Sequence, residues 1–220
     1  MNLLAIDCTE APLTVASANS ARTVVKHCER WQKSGEQIVS LIDEALQALD
    51  LKSSDLDAVA LSSGPGSFTA LRIGIATAKG LCFAHDLPLV MIPTFEALAR
   101  ATFPKTKAQT LVTLAYSKAD EFYVGIASPS APIEYEYLSL VQLNEKIDHK
   151  LKSMQSVAIV GRNLSRWASL FETSEVIDAD FFTAESLLAI AREKRLRGET
   201  TEIAVASPLY LKDFEVKKKS

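Results

Sequence analysis

Asp7 and the run Gly64-Pro65-Gly66-Ser67 are the residues best suited, by type and spacing, to chemistry. Asp7 closes the apolar run Leu3 to Ile6 and is followed by Cys8, Thr9 and Glu10. A carboxylate beside hydroxyl groups at a strand end can hold magnesium through water and face a nucleotide phosphate. In a turn, the same residue can instead bond its own backbone two positions on. The glycine loop lies between the strand-like run Ala58 to Leu61 and a helical stretch. Its backbone N–H groups and the positive helix end would then point at a common spot, which suits phosphate. The loop has no Gly-Lys-Ser/Thr of a P-loop and no Gly-x-Gly-x-x-Gly. A purely structural reading serves equally: glycines supply unusual backbone angles and Ser67 caps the helix. Two functions therefore stay open on these residues. One is a nucleotide hydrolase or kinase using Asp7 and the 64–67 loop; the other is a binding subunit that keeps only the turn.

Other chemistry is thinly provided. His27, His85 and His149 are scattered without His-x-x-x-His or His-Glu-x-x-His spacing, which leaves a metal without a ligand set. Cys8, Cys28 and Cys82 are widely spaced and form no Cys-x-x-Cys, which argues for reduced thiols and a cytoplasmic location. Cys8 has no His partner identifiable from spacing, so a buried thiol is the expectation. Trp31 and Trp167 read as isolated packing residues, and no run of aromatics interleaves with basic residues as an RNA-stacking surface would. With 24 Lys and Arg against 27 Asp and Glu, the net charge of −3 gives no general attraction to nucleic acid. Apolar residues at 48% and charged residues at 23% of 220 are a globular balance. No apolar stretch is long enough to span a bilayer, and the first residues lack the basic and apolar regions of a leader, so neither membrane insertion nor secretion is expected.

The elements that must position Asp7 and the loop follow from periodicity. Leu3 to Ile6, Leu13 to Ser17 and Thr23 to His27 read as consecutive antiparallel strands. Ile38, Leu41, Ile42, Ala45, Leu46 and Leu49 mark one face of a helix over 36–49. A second helix over 70–83 carries only Arg72 and Lys79 as charges. In it Ala70, Gly74, Ala78 and Cys82 recur at intervals of four, with Ala76 and Gly80 on an adjacent row. Such rows admit a closely packed neighbour, either inside this chain or from a partner subunit. Leu87 to Ile92 reads as a strand, and a third helix follows Pro93 with Thr94 as N-cap. After the break at Phe103 to Gln109 come strands at Thr110 to Ala115, Glu121 to Ala127 and Ile133 to Leu138, then a helix at 140–151. A strand at Val157 to Val160 and helices at Leu164 to Phe171 and Ala184 to Leu196 complete the order, and Lys217 to Lys219 make a solvated tail. The rhythm implies two similar α/β lobes, 1–103 and 104–220, with mixed sheets flanked by helices and the last helix placed to pack back on the first lobe.

Leu4-Ala5-Ile6-Asp7, Gly64 to Thr69, Leu71 to Leu81 and Pro208-Leu209-Tyr210-Leu211-Lys212 closely resemble the bacterial TsaB (YeaZ) family of tRNA threonylcarbamoyladenosine biosynthesis proteins. The resemblance implies the two-lobed actin/Hsp70-like ATPase fold, a duplicated RNase H-like architecture. It also implies a non-catalytic scaffold that pairs with TsaD, recruits the ATPase TsaE, and forms homodimers where TsaD is absent. TsaD would carry the metal and transfer the threonylcarbamoyl group to the adenosine next to the anticodon in tRNAs reading codons that begin with A. No cofactor of this chain's own is implied; ATP with magnesium and a TsaD-bound metal belong to the complex, and tRNA is met through it. By the same resemblance the partner interface falls on Ile38, Leu41, Ile42 and Ala45 of the first helix, and on Ala70, Ile73, Gly74, Thr77, Ala78 and Leu81 of the second. Asp7, Thr9, Gly64, Gly66 and Ser67 become a vestigial phosphate loop. Cys8, Ala70 and Tyr116 depart from the family pattern.

Overall fold

The computed structural model describes residues 1–28, 31–118, 120–147, 156–171 and 175–211. Its first sheet is built on β1 (Leu3–Asp7), which is antiparallel to β2 (Thr14–Ala18) and parallel to β4 (Ala58–Ser62). β3 (Thr23–His27) extends the β2 side and β5 (Leu89–Ile92) the β4 side. Every residue of β1, β2 and β4 is buried, the mark of a sheet covered on both faces. Leu4, Ile6, Val59 and Leu61 face α1 (Ser34–Gln47) and α2 (Phe68–His85). Leu3, Ala5, Ala58 and Ala60 face the opposite way, towards α3 (Thr94–Thr102) and α5 (Glu185–Leu196).

The second sheet repeats that plan. β6 (Thr110–Tyr116), β7 (Glu121–Ser128) and β8 (Ala131–Ser139) form an antiparallel meander, and β9 (Val157–Gly161) and β10 (Glu175–Asp178) continue in parallel from β6. The orders β3-β2-β1-β4-β5 and β8-β7-β6-β9-β10 correspond strand for strand. The duplication expected from element order is thus a duplication of topology. Between the sheets lie α3 and α5; α4 (Leu140–Lys146) and a 3-10 turn at Leu164–Leu170 pack on the far side of the second sheet. No helix among the described residues is long and apolar enough to cross a membrane.

Several local expectations change. Leu164 to Leu170 is a 3-10 helix rather than an α-helix, and β10 has no counterpart in the sequence reading. Of the helix expected at 140–151, residues 140–146 are α-helical; the stretch 148–155, with His149, lies outside the described residues, as do Lys212 and the lysine tail. Neither Ser67 nor Thr94 caps its helix by a side-chain hydrogen bond. Thr94 instead grips the glycine loop: its Oγ1 accepts from Gly64 N at 3.1 Å and its own N–H donates to Gly64 O at 2.9 Å. After α5 the chain runs back along α2. Thr201 N donates to Leu89 O at 2.7 Å, Leu209 N donates to Ser63 O at 2.7 Å, and Tyr210 lies tilted against Phe68 with ring centroids 5.5 Å apart.

The row Ala70, Gly74, Ala78 and Cys82 is buried against this lobe's own sheet. A Cβ at Gly74 would stand 2.3 Å from Cys8 Sγ and 3.2 Å from Leu61 Cδ1, so the small residues exist to seat α2 close to β1 and β4. Gly74→Ala should therefore lower the unfolding free energy by about 1–3 kcal/mol, the usual range for overpacking. Urea denaturation checks this, and adding Cys8→Ala, which removes the nearest atom, should recover part of the loss.

Candidate functional site

Strand β1 delivers Asp7 to its C-terminal end, and the carboxylate there is completely buried and fully engaged. One oxygen, Oδ1, accepts from Ser62 Oγ at 2.7 Å, Thr9 Oγ1 at 2.8 Å and Thr9 N at 3.3 Å. The other, Oδ2, receives Arg162 Nη2 at 2.9 Å, an ion pair whose side chains are 0% and 5% exposed. Arg162 follows Gly161 at the end of β9, so the second lobe supplies the cation that neutralises the first lobe's acid. It also donates to the carbonyls of Glu10 at 3.2 Å and Phe182 at 2.5 Å, which fixes the guanidinium in place. Sequence reading missed Arg162. The signal available was an arginine directly after a strand-ending glycine, in the half of the chain that repeats the first.

The loop is similarly occupied. Ser67 N donates to Thr9 O at 2.7 Å, and Gly64 N is held by Thr94. A Cβ on Gly66 would lie 2.5 Å from Thr9 O, so only glycine allows this approach, while Gly64 adopts φ +102°, a conformation side-chain-bearing residues rarely take. The structure thus brings Asp7, Thr9, Gly64, Gly66 and Ser67 together as expected, but their donors and acceptors are spent largely on one another and on Arg162.

Glu10, partly buried beside this knot, has its carboxyl pushed up from its ordinary value near 4.5 to about 7. Burial is the main cause; Asp7 adds to it, and Arg162 with the Tyr116 N–H opposes it. The folded state then holds this proton more tightly than the unfolded chain does, so stability falls as pH rises from the unfolded value through about 7. Glu10→Gln should remove that decline, a change on the order of 1 kcal/mol for a carboxyl with some solvent contact. Urea midpoints measured across this pH range test it.

On the two helices, Ile38, Leu41, Ile42, Ala45, Ala70, Gly74 and Ala78 are buried in the first lobe's own core, whereas Ile73, Thr77 and Leu81 are partly exposed. Ala76, Gly80 and Phe83 of α2 and Val39 of α1 are exposed, with Phe83 at 84% and Val39 at 65%. Periodicity identified a shared face; it could not say which neighbour covers it.

The family model for TsaD, tRNA N6-adenosine threonylcarbamoyltransferase, matches residues 31–127. A curated relative, the tRNA threonylcarbamoyladenosine biosynthesis protein TsaB of Escherichia coli strain K12, is 27% identical over 221 residues, 97% of this chain and 95% of that protein. TsaB of Haemophilus influenzae is likewise 27% identical, over 97% of this chain and 94% of that protein. YeaZ from Pseudomonas aeruginosa, 22% identical, superposes with a TM-score of 0.80 over 96% of this chain and 99% of its own. The chain therefore shares the fold of YeaZ: two mixed five-stranded sheets flanked by helices. Likeness to TsaD enzymes is local. That of Geobacillus thermodenitrificans is 53% identical over 55 residues, 25% of this chain and 16% of the enzyme.

The hydrolase or kinase reading of the sequence needs a nucleotide and its divalent ion near Asp7. Asp7 does not fit that role here, because its oxygens already take hydroxyl, amide and guanidinium donors, and a divalent ion would have to displace the Arg162 cation. Among the described residues no three His, Cys, Asp or Glu side chains cluster to hold a metal.

Proposed function

We propose that this chain is a non-catalytic pairing subunit in tRNA threonylcarbamoyladenosine biosynthesis. It docks the outer face of α2, with α1 beside it, on TsaD, and the pair recruits TsaE. In the absence of TsaD the same face joins two copies of the chain. Metal, ATP and transfer chemistry belong to the other subunits, and the complex works in the cytoplasm.

One observation carries this reading. A Cβ added to Gly80 meets nothing within 4 Å, so no contact among the described residues offsets the roughly 1 kcal/mol that glycine costs an exposed helix relative to alanine. Gly80 and Ala76 leave a shallow track where another helix can lie close, and the exposed ring of Phe83 stands beside it. The interface expected on buried Ala70, Gly74 and Ala78 therefore moves to the adjacent row. Gly80→Ala should raise the stability of the lone chain by about 0.5–1 kcal/mol, read as a higher urea midpoint.

Sedimentation velocity of the chain mixed with TsaD from the same organism tests the pairing. A single faster-moving complex is expected; two species sedimenting independently at all concentrations would overturn it.

A further inference from the structure

The two lobes enclose a cleft of about 1840 Å³ whose walls the sequence scatters widely. On the first-lobe side the guanidinium of Arg72 lies 3.7 Å from the Phe68 ring centroid, and its Nε donates to Tyr210 Oη at 3.2 Å. On the second-lobe side Tyr116 and Trp167 stack with centroids 6.0 Å apart, and Arg166 covers both rings at 5.6 and 5.0 Å. Each wall thus pairs aromatic faces with a fixed guanidinium. Rings present a sequence-tolerant stacking surface for bases, and the cations beside them meet phosphate.

The cleft's charge balance points the same way. Arg72, Lys118 and Arg166 are exposed there and, among the described residues, take part in no ion pair. Arg162 at the floor is neutralised by Asp7, which leaves these three cations against two carboxyl groups, Glu10 and Glu121, the latter accepting from Tyr137 Oη at 2.5 Å. With the floor sealed, a mononucleotide and its metal ion lack a seat there, whereas a strand laid across the mouth meets both walls.

We infer that this cleft binds single-stranded RNA, with bases stacked on Phe68, Tyr116 and Trp167 and phosphates held by Arg72, Lys118 and Arg166. The overall acidity of the chain gave no such attraction; the fold concentrates cations that the composition disperses. The inference does not rest on pairing with TsaD, and it is tested on the lone full chain.

Both tryptophans of the chain, Trp31 and Trp167, line the cleft, so intrinsic fluorescence reports its occupancy. A short, fluorescein-labelled single-stranded RNA of mixed sequence should raise its anisotropy on binding, while an unlabelled copy quenches tryptophan emission. Affinity should fall steeply with added salt. The exposed pair Arg72→Ala and Arg166→Ala together should weaken binding about tenfold or more, with circular dichroism unchanged. No RNA binding, equal affinity in the variant, a preference for duplex RNA, or binding of ATP with magnesium in place of RNA would each overturn the inference.

Discussion

Arg162→Ala should destabilise the chain by about 3–5 kcal/mol, the cost of leaving a buried carboxylate without its cation. Asp7 is wholly buried, and the guanidinium that faces it also satisfies the carbonyls of Glu10 and Phe182. Removing that side chain strands an ion and two acceptors at once. A domain is stable by only about 5–15 kcal/mol in all, so the variant should be near unfolding at room temperature. Urea denaturation measures the loss. The double variant Asp7→Asn with Arg162→Met, which removes both charges but leaves the two carbonyls unpaired, should recover part of it, because the unpaired buried ion is the larger cost. A loss below about 1 kcal/mol in Arg162→Ala would show that Asp7 is not held this way. Because the pair joins β1 of the first lobe to β9 of the second, the same variant should also loosen the lobes' mutual orientation.

Gly80→Trp should weaken association with TsaD about 100-fold or more, close to 3 kcal/mol, while changing the lone chain's stability by no more than about 0.5 kcal/mol. The asymmetry follows from where the residue sits. A side chain there meets nothing among the described residues of the chain but would fill the track that a second helix needs. Phe83→Ala should cost pairing about 2 kcal/mol, as a truncated aromatic anchor does, again with little effect on the free chain because the ring is 84% exposed. Binding curves against immobilised TsaD give both values. Full affinity in Gly80→Trp would place the interface elsewhere, and a matching loss of stability would reduce the effect to misfolding.

The elements around Asp7 were legible because their signals are local. Leu3 to Ile6 is an unbroken apolar run ended by an acid, and Ile38 to Leu49 keep one helical face, so both appear where periodicity puts them. β10 was not legible: four residues, three of them exposed, carry too little apolar pattern to separate them from a turn. The 3-10 stretch at Leu164 to Leu170 has apolar spacing that an α-helix would share. Site features failed for a different reason. The Asp7–Arg162 pair spans 155 positions, and no local pattern marks an arginine as the partner of a distant acid. The small-residue row was legible but its neighbour was not: Ala70, Gly74 and Ala78 seat α2 on its own sheet, and the exposed positions are Ala76 and Gly80. The cleft's rings and cations, at positions 68, 72, 116, 166, 167 and 210, meet only after the lobes fold together.

Threonylcarbamoyl transfer to tRNA, with TsaD, TsaE and the activated threonylcarbamoyl donor held constant while this chain is titrated in, bears most directly on the assignment of a partner-dependent, non-catalytic role. The rate should rise from near zero and level off once chain and TsaD are equimolar, with Gly80→Trp shifting the curve to higher concentration but reaching the same plateau. Transfer by this chain with TsaD left out, or an undiminished rate with the chain left out, would contradict the account.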